Sequence, residues 1–162
     1  MRKSFAKLLY NEMLSNPDIY LISSDLGYGM FDDIKRDFPE RFINPGAAEQ
    51  LMIGLAIGLT CEKKIAVCYS ITPFILCRPY ELLRTYINYE KIPVKLVGGG
   101  RNKDYAHDGI SHWACDDQDI LGTLSNIDTF FPDDLKELNE DFNEFLYKSK
   151  PSFLSLSKRI FN

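Results

Sequence analysis

The sequence predicts an α/β fold of three layers: a mostly parallel sheet of about six strands between two layers of helices. Short apolar, β-prone runs alternate with stretches of helical length and periodicity, the pattern of parallel strands joined by crossover helices. The strand runs are nearly continuous in apolar residues, as strands covered on both faces are. Most of the chain's unusual residues fall in segments that follow strands, where open parallel sheets carry their binding loops.

The elements follow in order. Phe5, Leu8, Leu9 and Met13 recur at helical spacing, and Asn16-Pro17 stops that helix. Ile19-Tyr20-Leu21-Ile22 is a strand ending in the polar turn Ser23-Ser24-Asp25-Leu26-Gly27. Arg41-Phe42-Ile43 is a brief strand running into Asn44-Pro45-Gly46, and an almost wholly apolar helix spans Ala48 to Thr60. Strand and helix then alternate: Lys64 to Cys68, helix Phe74 to Tyr89, strand Pro93 to Val97 closed by Gly98-Gly99-Gly100. His112 to Leu124 is helical, Ile127 to Phe131 a strand, Leu135 to Tyr147 an amphipathic helix and Phe153 to Leu156 a last strand. Pro132-Asp133-Asp134 supplies acidic charge to the start of the Leu135 helix.

Composition narrows the function classes. With 162 residues, 45% hydrophobic and 13% aromatic, the chain can bury a core and reads as one domain. A net charge of −4, with no basic run, argues against nucleic acid. The longest nearly apolar stretch, Leu51 to Leu59, is about half of the ~20 residues a bilayer span requires. The N-terminus is broken by Lys7, Asn11 and Glu12, a helix pattern rather than a leader. Cys61, Cys68, Cys77 and Cys115 form no C-x-x-C pair and read as buried thiols of a cytoplasmic protein.

One segment stands out: Asn44-Pro45-Gly46-Ala47-Ala48-Glu49-Gln50 leading into an apolar helix. Glu49 is that helix's lone carboxylate. It reads either as a first-turn acid favoured by the helix dipole, or as a carboxyl held against apolar surface, where desolvation keeps a proton on it at neutral pH. Gly54 and Gly58, four apart, lay a smooth strip along one helix face, suited to close approach by a second helix.

With Ser24-Asp25-Leu26-Gly27 upstream, this segment resembles the pyrimidine-binding domain of the transketolase family. Tyr69-Ser70-Ile71-Thr72-Pro73-Phe74 with Arg78-Pro79-Tyr80-Glu81 resembles the family's aromatic loop and helix, and Ile92 to Gly98 its next strand. His107-Asp108-Gly109-Ile110-Ser111-His112 resembles its Gly-Pro-Thr-His loop, and Lys150 to Leu156 its closing strand. The resemblance covers nearly the whole chain.

The resemblance implies thiamine diphosphate, whose thiazolium C2 must lose a proton to become a nucleophile. It makes Glu49 the proton relay to N1′ of the aminopyrimidine, with Phe74 stacking on that ring and Tyr69 beside it. Asp25 would lie near the thiazolium. His112 would donate to a substrate oxygen, with His107 a second polar contact at the channel mouth. Each has a plainer reading: core packing for the aromatics, a turn acid for Asp25. Arg78 either faces substrate or ties the loop to Glu81 or another acid as a surface ion pair. The histidine loop departs from the family pattern at Ile110-Ser111, Trp113 and Asp116, and Arg101 and Lys103 are the cations nearest to hand for a substrate phosphate.

No Gly-Asp-Gly is present, so the resemblance assigns Mg²⁺ and the diphosphate to a larger partner subunit carrying Gly-Asp-Gly…Asn-Asn, in an α2β2 enzyme; no metal site is expected in this chain. No transketolase C-terminal domain is read in the chain either. The Ala48–Thr60 helix is a possible self-association surface. The expected activity is transfer of a two-carbon ketol unit between sugars or 2-oxo acids. The alternatives are a subunit of a 2-oxoacid decarboxylase or dehydrogenase, one of a deoxyxylulose-phosphate-synthase-like enzyme, or a non-catalytic relic that binds a partner.

Overall fold

A computed structural model describes residues 1–158. Six strands form one sheet in the order β2-β1-β3-β4-β6-β5, every neighbouring pair parallel. The strands are β1 (Ile19–Ser23), β2 (Phe42–Ile43), β3 (Ile65–Ile71), β4 (Lys95–Gly99), β5 (Asp128–Phe130) and β6 (Ser152–Leu156). The central strands β3, β4 and β6 are buried along nearly their whole length, which is why they read as unbroken apolar runs.

Alternation along the strands splits the core in two. On one side α1 (Arg2–Ser15), α2 (Asp32–Asp37) and α7 (Leu135–Tyr147) pack Phe5, Leu9, Ile34, Phe142 and Phe145 against Leu21, Val67, Val97 and Leu154. On the other, α3 (Glu49–Cys61) and α4 (Thr72–Cys77) set Met52, Ile53, Ala56, Ile75 and Leu76 on Ile22, Cys68, Leu96 and Phe153. The Asp134 carboxylate caps α7, accepting from the backbone N–H groups of Lys136 (2.8 Å) and Glu137 (2.9 Å).

The expected elements are present with informative differences. The predicted helix from Phe74 to Tyr89 is three pieces. α4 stops at Arg78-Pro79, α5 (Tyr80–Leu82) restarts, and Leu83–Tyr89 widens into a π-helix, with Glu90 N–H donating to the Thr85 carbonyl. Pro79 cannot donate to the preceding turn, so a break there is forced. The predicted helix from His112 is shorter: Ile110–His112 is a 3₁₀ turn, Trp113 is extended, and α6 covers only Asp117–Gly122. Ala114 instead pairs with Asn102 in an isolated antiparallel bridge. The cysteine reading also needs correction. Cys68 alone is buried, because only it lies inside the sheet; Cys61, Cys77 and Cys115 are exposed at helix ends and in a loop, all as free thiols.

Candidate active site

The carboxyl ends of β1, β3 and β4 and the loops beyond them form a rim around Glu49. Ser24, just past β1, binds the loop that precedes α3. Its Oγ donates to the Gly46 carbonyl (2.7 Å) and accepts from the Ala48 N–H (3.1 Å). Gly46 turns at φ +80, a conformation that favours glycine. The loop therefore delivers Glu49 to the first position of α3 over the sheet, where the side chain is 2% exposed.

The carboxylate there is not surrounded by apolar atoms alone, as the desolvated-carboxyl reading of the sequence supposes. Oε1 accepts a hydrogen bond from Ser70 Oγ at 3.0 Å, and Oε2 lies 2.7 Å from Arg78 Nη1. A buried carboxylate needs such partners, because its desolvation is otherwise costly. The helix dipole at the N-terminus of α3 adds a smaller favourable contribution.

Arg78 reaches Glu49 by crossing an aromatic face. Its guanidinium carbon sits 3.7 Å from the centroid of the Phe74 ring. Of the readings open from sequence, the ion pair with an acid is the one observed. Its acid is buried Glu49 rather than Glu81. Phe74 is held because Thr72, at the start of α4, donates from Oγ1 to the Gly100 carbonyl at 2.6 Å. A Cβ at Gly98 would come within 2.5 Å of that Thr72 oxygen and 2.7 Å of Phe153, so the strand beneath must be bare there. Phe74 also meets His112 in a T-shaped pair, with ring centroids 4.8 Å apart. His112 Nδ1 is 3.0 Å from Ser111 Oγ.

The other candidates separate from this group. Tyr69 leaves β3 on the face opposite Ser70. It is buried beside Phe31, ring centroids 5.1 Å apart, so period-two alternation sends it away from Glu49. Burial raises its pKa to about 12. Asp25 is exposed at φ +52 and accepts from Tyr28 Oη (2.5 Å) and Asn44 Nδ2 (3.4 Å). The Tyr28 hydrogen bond, then that of Asn44, holds its pKa below the usual aspartate value. His107 is exposed and lies 3.2 Å from Asp108. Arg101 is committed to the scaffold: it ties Asp133 (2.7 Å) to the Pro132 and Ser155 carbonyls. Lys103 stands over the Trp113 ring at 4.3 Å, which sets that indole against the loop's own lysine.

Ser70 and Ser24 escape the sequence reading as site residues. For Ser70 the available signal is a serine inside an otherwise apolar strand, since a polar residue there must have a buried partner; Ser24, in the turn after β1, carries no such signal.

The residues around Glu49 fit an aminopyrimidine. A flat heteroaromatic ring with a basic ring nitrogen needs an aromatic face and a buried carboxyl group facing that nitrogen, and Phe74 and Glu49 supply both. Arg78, itself planar and rich in N–H donors, already satisfies both groups at once. Among the described residues no group of three or more His, Cys, Asp or Glu side chains is placed to hold a metal ion. No helix among them is long and apolar enough to cross a membrane.

The family described as the transketolase pyrimidine-binding domain matches residues 1–162. An apulose-4-phosphate transketolase subunit from Actinobacillus succinogenes is 29% identical over 121 residues, covering 75% of this chain and 39% of that protein. A 6-deoxy-6-sulfo-D-fructose transketolase subunit from a Clostridium species is 26% identical over 160 residues, covering 98% of this chain and 50% of that one. Among solved structures, a split gene transketolase described as an inactive beta4 tetramer superposes with a TM-score of 0.84 at 28% identity, covering 99% of this chain and 53% of that chain. The chain thus spans about half the length, or less, of these relatives. It belongs to the transketolase pyrimidine-binding domain family, and its six-stranded parallel sheet is that family's fold.

Proposed function

We propose that this chain is the pyrimidine-binding component of a split, thiamine diphosphate-dependent transketolase-like enzyme of the cytoplasm. It would move a two-carbon ketol unit between sugar or 2-oxo acid substrates as part of carbohydrate metabolism. The observation that carries the reading is Glu49, a nearly inaccessible carboxylate at a helix N-terminus. Its Oε2 is paired with Arg78, whose guanidinium lies over the Phe74 ring. Resemblance to subunits of two sugar-phosphate and sulfo-sugar transketolases supports the substrate class.

The cofactor, when bound, supplies the carbanion chemistry. The chain's own residues would do three things. Glu49 would hold a proton at the carboxyl oxygen facing the pyrimidine nitrogen, with Ser70 fixing the carboxyl plane through its other oxygen. Phe74 would give the ring a flat, dry face. His112, anchored on Phe74 and Ser111, would donate to a substrate oxygen, with His107 farther out as a polar contact at the mouth. Asp25 and Tyr28 border the same rim from the β1 side.

The diphosphate and Mg²⁺ would be held by a partner polypeptide with a Gly-Asp-Gly…Asn-Asn segment, in an α2β2 assembly. The solvent-facing side of α3 is suited to an interface. Leu51, Gly54 and Gly58 are accessible there, and an added Cβ at either glycine would meet nothing within 4 Å.

The test is co-purification with that partner, thiamine diphosphate titration and a screen of ketose and 2-oxo acid donors. Glu49→Gln should lower turnover by about a hundredfold to ten-thousandfold, the range for a lost general acid–base group. Parental turnover in that variant, with cofactor bound, would overturn the mechanism.

A further inference from the structure

The Arg78 guanidinium stands where the proposed cofactor ring would have to stand. It covers the Phe74 face at 3.7 Å and reaches the Glu49 oxygen that Ser70 leaves free, at 2.7 Å. The carboxylate is 2% exposed while the arginine side chain is 46% exposed, so the arginine enters from the solvent side. It is the last residue before the Pro79 break, with no helical turn continuing over it. Glu49 is its one ion-pair partner among the described residues.

We propose that Arg78 is a displaceable plug of the pyrimidine slot, holding it shut in the cofactor-free chain and swinging outward when the aminopyrimidine enters. This rests on the function proposed above and adds a gating role for Arg78. Two demands meet in the one side chain. A buried carboxylate without a partner is unfavourable, so the empty slot needs a donor. That donor must also leave without breaking the fold, and a half-exposed arginine on a helix end can. The guanidinium suits the task because it is planar, stacks on an aromatic ring and hydrogen-bonds the Glu49 carboxyl, the same two contacts the incoming ring would make. A lysine would pair with Glu49 but would not stack as a plane.

The plug lowers apparent cofactor affinity in proportion to the fraction of time the slot is open. It also keeps Glu49 paired until a ring of the right shape competes for both contacts.

The experiment uses the chain assembled with its partner subunit in Mg²⁺, with thiamine diphosphate as the probe. Binding is read by calorimetry and by stopped-flow fluorescence of Trp113, this chain's only tryptophan, against the partner subunit alone as the background. Arg78→Gln should speed thiamine diphosphate association and tighten apparent binding by about tenfold, the factor for a slot open a tenth of the time. Arg78→Lys should fall between that variant and the parent, and serves alone if the Gln variant does not fold. Unchanged or weaker cofactor binding in the variant that folds would overturn the plug. If KM for the ketose donor rises while cofactor binding stays put, Arg78 is a substrate contact and the plug is equally overturned. Absence of thiamine diphosphate binding by the parent complex, with or without Arg78, would instead defeat the proposed function itself.

Discussion

Ser70 Oγ donates to Glu49 Oε1 across 3.0 Å, and both side chains are shut away from solvent. The pairing follows from the pleat. Cys68 and Ser70 share the face of β3 that carries α3, while Val67 and Tyr69 share the other. Glu49 arrives from the opposite direction, on the first turn of the helix that packs on that face. A hydrogen bond to a charged group is worth about 1.5–3 kcal/mol, and removing it leaves a buried lone pair unmatched. Ser70→Ala is expected to lower folding stability by about 1–3 kcal/mol in urea denaturation. It should also weaken thiamine diphosphate binding, since the carboxyl plane loses its second anchor. An unchanged midpoint would mean that Ser70 contributes no net stabilisation.

The legible part of the fold is the part set by local pattern. The runs around Leu21-Ile22 and Leu96-Val97 read as doubly covered strands and are buried in the sheet, and Asp134 stands where a helix N-cap belongs. The three-glycine end of β4 is visible as punctuation. Its steric reason is not: Gly98 clears Thr72 and Phe153, and Gly99 clears the Tyr69 ring. Those neighbours come from distant segments, so no local window contains them.

The site divides in the same way. Glu49, Phe74 and His112 are found by motif, and the structure draws Phe74 to His112 and, through Arg78, to Glu49. The resemblance places Tyr69 with them, and the period of the strand sends it to the opposite face. The partner of Arg78 depends on where Pro79 breaks the helix. A continuous helix from Phe74 to Tyr89 would point to Glu81, three residues on, as the natural neighbour.

Lys95 gives a pH signature unrelated to the site. Its ammonium is buried at the start of β4, donating to the carbonyls of Lys148 (2.6 Å) and Lys150 (2.7 Å). Burial lowers its pKa to about 8 from the usual 10.5. Between those values the unfolded chain holds the proton and the folded chain does not. The contribution of Lys95 to stability therefore rises with pH from about 8 to 10.5, and below 8 the penalty for burying the charge is fully present. Lys95→Met lacks this titration. The stability of the parent relative to the variant should climb across that window in denaturant titrations at pH 7, 8, 9 and 10. A flat difference would show that Lys95 keeps an ordinary pKa.

Phe74 and His112 touch each other, 4.8 Å between ring centroids, yet the proposed function gives them separable roles. Phe74 offers its face to the slot beside Glu49, so its ring bears on cofactor binding. His112 packs against that ring in a T-shaped arrangement and has Ser111 Oγ 3.0 Å from Nδ1, so a substrate oxygen would have to use Nε2. Phe74→Ala should therefore weaken thiamine diphosphate binding by about two- to tenfold, the loss of one aromatic contact of roughly 0.5–1.5 kcal/mol beyond area burial. His112→Ala should leave cofactor affinity near the parent's and lower kcat/KM for the ketose donor. That fall should be about ten- to a hundredfold, as for one hydrogen bond to developing charge. The two measurements, cofactor titration and steady-state kinetics on the same assembled enzyme, discriminate cleanly. If both variants lose cofactor affinity alike, the pair acts as one packing unit and His112 has no separate part in substrate recognition.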